Sequence, residues 1–207
     1  MISVESGATV RLQAFSLNPS EAEGKEYYDA VTRNADRLQA DFPGVVDRNN
    51  SPEAARASIE RAAHAAQNHA MGYYAVRATE DDAFVGVASY RQQRLWRPGR
   101  LSLPAVNGPN VAGWADLDRP EATRGTGAYV LSLLVAEAIK DVETRGYAWT
   151  VVRRENRPSV KLVEEQSDPM FMPSLHGTQV WPVGDGVEVE RTLYVADTSM
   201  RDLRRAA

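Results

Sequence analysis

The sequence contains no cysteine, and this absence excludes several kinds of chemistry. Disulfides, thiolate metal sites and cysteine nucleophiles are not available to the chain. Histidine is scarce as well, with three residues in 207. His64 and His69 lie five positions apart, a spacing that does not place both side chains on one face of a helix. We therefore expect no metal site.

Long hydrophobic runs and an excess of basic residues are also missing. No apolar stretch approaches the length of a membrane span. The first ten residues lack the charged and then apolar pattern of a secretory signal. The formal net charge of -4 argues against a broad nucleic-acid footprint. We expect a cytoplasmic protein that has no membrane partner.

The composition that remains is ordinary for a globular protein, with 43% hydrophobic and 25% charged residues. We predict a single domain over residues 1–198 and a frayed tail over residues 199–207. Hydrophobic periodicity and capping residues predict the elements in chain order. They are a strand at 9–15, a helix after a Ser20–Glu23 capping box and ending near 41–44, a helix from Ser51 to about 70, a hairpin of 73–77 and 84–91, a strand at 111–117, a helix at 129–142, a strand at 147–152 parallel to its predecessor, a short helix at 159–165, and two last strands at 179–181 and 187–195.

A glycine-bearing turn, Arg124-Gly125-Thr126-Gly127-Ala128, lies between a predicted strand and a predicted helix. Such a turn exposes backbone N–H groups at the positive end of the helix dipole. Glycine allows a ligand to approach the backbone, and Arg124 adds a bidentate cation. The pattern favours a phosphate-binding site. An ordinary glycine-bearing helix start is the alternative.

Two stretches carry a resemblance to a known family. The first joins Val111-Ala112-Gly113-Trp114 to Pro120-Glu121-Ala122-Thr123-Arg124-Gly125-Thr126-Gly127, and the second is Glu155-Asn156-Arg157-Pro158-Ser159-Val160-Lys161-Leu162-Val163-Glu164. They resemble the Gcn5-related N-acetyltransferase (GNAT) superfamily, and within it the ribosomal-protein N-terminal acetyltransferase branch. The resemblance covers nearly the whole chain and implies an α+β fold of the mixed α/β kind. Its central sheet is mixed and mostly antiparallel, with six to seven strands, helices on both faces and a splay between the fourth and fifth strands.

The activity that this resemblance implies is acyl-CoA-dependent N-acyl transfer, with acetyl-CoA the expected donor and another acyl-CoA the alternative. The acceptor is a primary amine of a small molecule, peptide or protein. The cofactor-binding residues implied are Gly113, Ala115, Leu117, Arg124, Gly125, Thr126, Gly127, Ala128, Tyr129 and Asn156. Tyr129 departs from the family motif, which has a small residue at this position.

Three residues are the implied catalytic candidates. Asn156 would hydrogen-bond the pantetheine or the substrate. The family's usual acid is a tyrosine, and Val163 occupies its position in this sequence. Ser159 is the candidate to replace that tyrosine as the acid. The alternative role of Ser159 is the N-cap of the short helix. Asp116, with Asp118 beside it, is the candidate base, and an ordinary loop carboxylate is the alternative.

Other functions stay open. Tyr129, Val163 and the arginine-rich segment 91–100 motivate transfer from an aminoacyl-tRNA, which would make tRNA a partner. A solvated hairpin extension is the alternative explanation of the arginines. The missing tyrosine acid motivates a non-catalytic domain that senses a CoA thioester. A homodimer formed through the last strands is a further alternative.

Overall fold

A computed structural model describes residues 10–67, 71–92, 109–119, 126–141, 147–165, 171–184 and 187–197. These residues form six helices and seven strands. The elements in chain order are β1 (Val10–Ala14), α1 (Glu21–Arg33), α2 (Ala35–Asp41), α3 (Pro43–Arg48), α4 (Pro52–Ala66), β2 (Met71–Ala78), β3 (Phe84–Gln92), β4 (Pro109–Ala115), α5 (Thr126–Asp141), β5 (Tyr147–Arg153), α6 (Arg157–Glu165), β6 (Phe171–Gly184) and β7 (Val187–Asp197).

The predicted helix starts of α1 and α4 are confirmed. The Ser20 hydroxyl accepts from the Glu23 N–H at 3.2 Å, and a Glu23 carboxylate oxygen accepts from the Ser20 N–H at 2.8 Å. This reciprocal capping box satisfies two backbone donors that the first helical turn leaves without partners. Ser51 caps α4 by accepting from the Ala54 N–H at 3.1 Å, with Pro52 at the first helical position.

The chain divides into two compact units. The first takes the residues up to Ser89 and Gly113–Val130, and the second takes Tyr90–Ala112 and the residues from Leu131 onward. The expectation of one domain over residues 1–198 stays a prediction. The hydrogen-bonded strand order is β1-β2-β3-β4-β5-β7-β6. This confirms a mixed sheet of six to seven strands.

The first unit contains α1 to α4 and the strands β1 to β3, with the last residues of β4. β1 pairs antiparallel with β2, with Val10 opposite Ala78. One apolar cluster fills this unit, and its members come from α1, α2, α4 and the strands: Tyr27, Ala30, Val31, Leu38, Ala55, Ile59, Ala75, Phe84, Val87 and Trp114. Its aromatic rings make edge and stacked contacts, and through Tyr27 they fix α1 on β3 and β4.

β3 and β4 approach each other unusually closely. A Cβ atom on Gly113 would lie 2.6 Å from the Val87 carbonyl oxygen and 3.4 Å from the Ala88 Cα, and one on Gly86 would meet the backbone of Trp114 and Ala115. Residue numbers rise on one strand as they fall on the other, so the pair is antiparallel. Only glycine fits these two positions without a backbone shift.

The second unit contains the start of β4, β5 to β7 and α6. β4 pairs in parallel with β5 through Asn110 and Trp149, which confirms the predicted parallel pair. β5 and β6 both pair antiparallel with β7. The Tyr194 hydroxyl donates to Glu164 Oε1 at 2.9 Å and joins β7 to α6.

Three predicted boundaries are wrong. Asn34 divides the first predicted helix into α1 and α2, because its side-chain amide donates to the Ala30 carbonyl at 2.9 Å and the backbone leaves the helical conformation there. Pro43 and Gly44 begin α3 instead of ending a helix, since proline fits the first helical turn. β6 runs from Phe171 to Gly184, far longer than the predicted 179–181, and its pairing with β7 shifts register between Pro173 and Thr178.

Candidate functional site

Asp116 is the residue that follows β4, and its carboxylate has no exposed surface. Its Oδ2 accepts a hydrogen bond from Arg33 Nη2 at 2.5 Å. Its Oδ1 accepts from Asn34 Nδ2 at 2.8 Å and from the Asp118 N–H at 3.3 Å. Both carboxylate oxygens are therefore occupied by donors from the end of α1 and from the chain just beyond β4.

Asp116 and Arg33 each stabilise the charged form of the other. Burial alone would raise the pKa of Asp116, but the hydrogen bonds from Arg33 and Asn34 outweigh it, so this pKa lies below its usual value. The hydrogen bond to Asp116 raises the pKa of Arg33. Asp116 is consequently an anion at neutral pH.

Asn34 and Arg37 hold the backbone of the same segment. Asn34 Oδ1 accepts from the Leu117 N–H at 3.4 Å and from Arg37 Nη2 at 3.1 Å. Arg37 Nη2 also donates to the Ala115 carbonyl. Burial lowers the pKa of Arg37, and the charges of Asp41 and Asp116 oppose that effect. We call Arg33, Asn34, Arg37 and Asp116 the β4 clamp.

The backbone of β4 has a defined direction at this point. The Asp116 N–H donates to the Val85 carbonyl of β3 at 2.7 Å. N–H groups two residues apart on a strand point the same way, and the intervening ones point the opposite way. The N–H groups of Gly113 and Ala115 therefore point away from β3. They lie on the side of β4 opposite β3, which we call the β4 edge and on which β5 pairs through Asn110.

The end of the predicted strand carries two exposed side chains. Leu117, which lies beyond β4 and not within it, is 49% exposed. The Asp118 carboxylate is 71% exposed and lies 3.9 Å from Arg33 Nε. Of the two candidate bases, only Asp118 presents its carboxylate to solvent.

The described part of α5 begins at Thr126, three residues before the expected start, so Gly127 and Ala128 of the predicted turn lie within the helix. Thr126 to Tyr129 form the first described turn of α5. No acidic side chain occurs in this turn. Thr126 is buried, and Tyr129 is partly buried. Arg124 and Gly125 lie outside the described residues.

Asn156 and Ser159 are brought together at the start of α6. Asn156 Oδ1 accepts from the Ser159 N–H at 3.3 Å, so Asn156 caps the helix. The N-cap role considered for Ser159 is therefore wrong. Val163, at the position of the family's tyrosine, is buried.

Sequence reasoning missed Arg33, Asn34 and Arg37. Arg33 and Asn34 contact Asp116 across 83 and 82 residues, and no motif links such distant positions. The only sequence signal was an arginine and asparagine cluster near the end of an otherwise amphipathic helix. His64 is exposed on α4, and His69 and residues 93–108 lie outside the described residues. His176 lies within β6, between Pro173 and Thr178, where the pairing with β7 shifts register.

Neither a metal-binding cluster nor a helix that could cross a membrane occurs in the described part of the chain. No group of three or more histidine, cysteine, aspartate or glutamate side chains there is placed to hold a metal ion. None of the described helices combines the length and the apolar character that crossing a bilayer requires.

No protein-family model and no curated protein matches the sequence. Solved structures do match. The ribosomal L7/L12 alpha-N-protein acetyltransferase RimL in complex with coenzyme A has a TM-score of 0.67 at 17% identity, covering 92% of this chain and 95% of that one. The ribosomal-protein-S5-alanine acetyltransferase from Vibrio fischeri has a TM-score of 0.69 at 12% identity, covering 96% and 98%. The microcin C7 self-immunity acetyltransferase MccE in complex with acetyl-CoA and AMP has a TM-score of 0.64 at 14% identity, covering 91% and 92%. Identities this low show the fold alone, and the chain therefore has the GNAT fold.

Proposed function

We propose that this protein is an acyl-CoA-dependent N-acyltransferase that transfers an acetyl group to a primary amine. The single observation that carries the proposal is the β4 edge, where the N–H groups of Gly113 and Ala115 point away from β3. A pantetheine arm is an extended amide chain, and it can bond to such an edge as a further strand would. The coenzyme A and acetyl-CoA complexes among proteins of the same fold support this assignment.

The first turn of α5 would bind the pyrophosphate. Its N–H groups from Thr126 to Tyr129 lie at the positive end of the helix dipole, with no acidic side chain to repel an anion. Arg124, immediately before this turn in the sequence, would add a bidentate cation.

The reaction would be direct attack. The amine nitrogen bonds to the thioester carbon, the carbonyl oxygen becomes an oxyanion, and the C–S bond then breaks to release the thiolate. The Ala115 N–H is a donor suited to the oxyanion. Asp118, exposed at the end of β4, would attract the acceptor ammonium and take its proton. A base role for Asp116 stays a prediction.

The residues at the start of α6 would assist the leaving group and the substrate. Asn156 would hydrogen-bond the pantetheine or the acceptor. Ser159, in the first turn of α6, would donate to the departing thiolate. We infer a peptide α-amine as the acceptor, because RimL, a protein of the same fold, is named for acetylation at a protein α-nitrogen. A small-molecule amine is the second candidate.

Thiol release from acetyl-CoA, measured with peptides that carry a free N-terminus and with small amines, tests this function. Matched peptides with a blocked N-terminus serve as controls. Arg124→Gln should raise KM for acetyl-CoA about tenfold, the effect of losing one charge-assisted hydrogen bond. The control Arg61→Gln removes an exposed arginine whose side chain donates to Ser58 on α4, and KM should not change.

The outcome also separates the alternatives. Binding of acetyl-CoA without thiol release for any amine would favour the sensor role. Absence of acetyl-CoA binding, together with tRNA retention that weakens steeply with salt, would favour the aminoacyl-tRNA donor.

A further inference from the structure

The β4 clamp joins two distant parts of the sequence at the strand that we assign to the acyl donor. Arg37 and Ala115 are 78 residues apart, and Arg33 and Asp116 are 83 apart. Each contact uses a side chain at the junction of α1 and α2. At the end of β4 and just after it, the partners are the Asp116 carboxylate, the Ala115 carbonyl and the Leu117 N–H.

The clamp fixes the peptide groups that follow the Ala115 N–H. The Ala115 carbonyl accepts from Arg37, and the N–H of the same peptide unit, on Asp116, donates to Val85. The next N–H, that of Leu117, donates to Asn34. These two successive peptide units are held in one orientation, and the Ala115 N–H directly precedes them.

We propose that Asp116 is a positioning residue for acyl transfer: through Arg33 and Asn34 it holds the end of β4 so that the Ala115 N–H points at the acyl carbonyl. This inference rests on the proposed function and assigns a role to Asp116 other than that of base. Asp116 binds Arg33 and Asn34, and Asn34 in turn binds Arg37 and Leu117. Removal of the Asp116 carboxylate should therefore also disturb the hydrogen bonds that hold the two peptide units beside Ala115.

The geometry of Asp116 is unsuited to proton abstraction from a substrate. A general base must come within hydrogen-bond reach of the proton that it removes. Asp116 has no exposed surface, and both of its oxygens accept hydrogen bonds from within the protein. An amine could reach it only by displacing Arg33 or Asn34.

Asp116→Asn is the first test variant because it preserves the shape but removes the charge. An amide can accept through one oxygen only, so it would turn an NH2 group toward Arg33 or Asn34. Arg33→Gln breaks the same contact from the other side, and Arg33→Lys retains its charge. Lys25→Gln is the matched control, since it removes a 2.6 Å ion pair with Asp29 on the exposed face of the same helix.

The kinetic measurement is the dependence of kcat and KM on pH with acetyl-CoA and the best acceptor. We expect Asp116→Asn and Arg33→Gln each to lower kcat about 10- to 100-fold, the scale of a slightly misplaced catalytic group. The acidic limb of the pH profile should remain in both variants, and Arg33→Lys should recover part of the rate. Loss of the acidic limb in Asp116→Asn alone would identify Asp116 as the base and overturn the proposal, as would unchanged kcat in both variants.

Hydrogen exchange of the backbone amides tests the clamp without any substrate. The Asp116 and Leu117 amides should exchange at least about tenfold faster in Asp116→Asn and Arg33→Gln than in the control, because the segment that carries both amides is no longer held and Asn34, the acceptor of the Leu117 N–H, is released. Unchanged exchange would refute the clamp. Absence of turnover by the wild-type protein, with fast exchange in both variants, would instead overturn the proposed function and the catalytic role but retain the structural one. If Asp116→Asn does not fold, Arg33→Gln and Arg33→Lys provide the same comparisons.

Discussion

The phenol ring of Tyr27 on α1 stacks on the indole of Trp114 on β4, with ring centroids 6.0 Å apart and planes inclined by 23°. Asp116 lies two residues after Trp114 and directly follows β4. α1 is therefore joined to β4 twice, by an aromatic contact at Trp114 and by the ion pair between Arg33 and Asp116. The stability of the first unit and the geometry of the candidate site depend on the same helix.

Tyr27→Ala should lower the free energy of unfolding by about 3–5 kcal/mol, the usual cost of truncating a buried aromatic side chain. Tyr27 is buried and also packs edge-on against Phe84. Chemical denaturation in urea measures the change. Tyr28→Ala, on the same helix but only partly buried, is the control and should cost less. Equal losses for the two variants would contradict the central position of Tyr27.

Asp116→Asn should lower the free energy of unfolding by about 2 kcal/mol at pH 7, since hydrogen bonds to a charged group are lost. Because the native pKa of Asp116 lies below its unfolded value, its stabilisation is complete above the unfolded value of about 4. The stabilisation is lost as the pH falls through the native pKa.

The difference in unfolding free energy between the wild type and Asp116→Asn should therefore be constant from about pH 5 to 7 and shrink below about pH 4. Urea titrations at several pH values across this range measure it. A difference that stays the same down to about pH 3 would show that the carboxylate charge contributes nothing to the stability of the clamp.

Gly113→Ala should destabilise the protein by about 1–3 kcal/mol, the cost of forcing an extra methyl group into a packed contact. The added Cβ would lie 2.6 Å from the Val87 carbonyl oxygen, which belongs to a rigid strand. Gly44→Ala on α3 is the matched control, because its Cβ would meet at 3.3 Å only the flexible end of the Arg48 side chain. Thermal unfolding should show a loss for Gly113→Ala alone, and a loss of equal size in both variants would argue against a specific β3–β4 contact.

Tyr129→Ala tests whether the tyrosine narrows the phosphate site at the start of α5. The substitution introduces the small residue found in the family motif and keeps good helix propensity. We expect Kd for acetyl-CoA to fall about threefold or more, since a bulky side chain no longer restricts access to the N–H groups. Isothermal titration calorimetry provides Kd, and Arg61→Gln serves as the control. A weaker complex would mean that Tyr129 contacts the ligand favourably.

Local signals predicted the elements that depend on neighbours in the sequence. The capping box of α1 and the Ser51 cap of α4 were both readable, because their chemistry lies within a few residues. The division of the first helix at Asn34 was not readable. It depends on Asp116, which binds the same Asn34 amide from 82 residues away.

The candidate site shows the same limit. Gly113 and Ala115 were identified through the resemblance, and the strand geometry supplies a physical reason for that choice. The sequence could not show that Asp116 is buried and Asp118 exposed, since the two carboxylates are chemically alike and two positions apart. The arginines that distinguish them come from α1 and α2. Likewise Asn156, assigned to ligand binding, also caps α6.

Thermal unfolding with excess acetyl-CoA is the most direct test of the central claim that β4 and the start of α5 bind an acyl-CoA. At a ligand concentration near one hundred times Kd, binding adds about 2.7 kcal/mol of stability. For a protein of this size we predict a rise in Tm of about 5–10 °C, and a smaller rise for Arg124→Gln at the same acetyl-CoA concentration. No rise in Tm at about millimolar acetyl-CoA, where even weak cofactor binding would register, would contradict it.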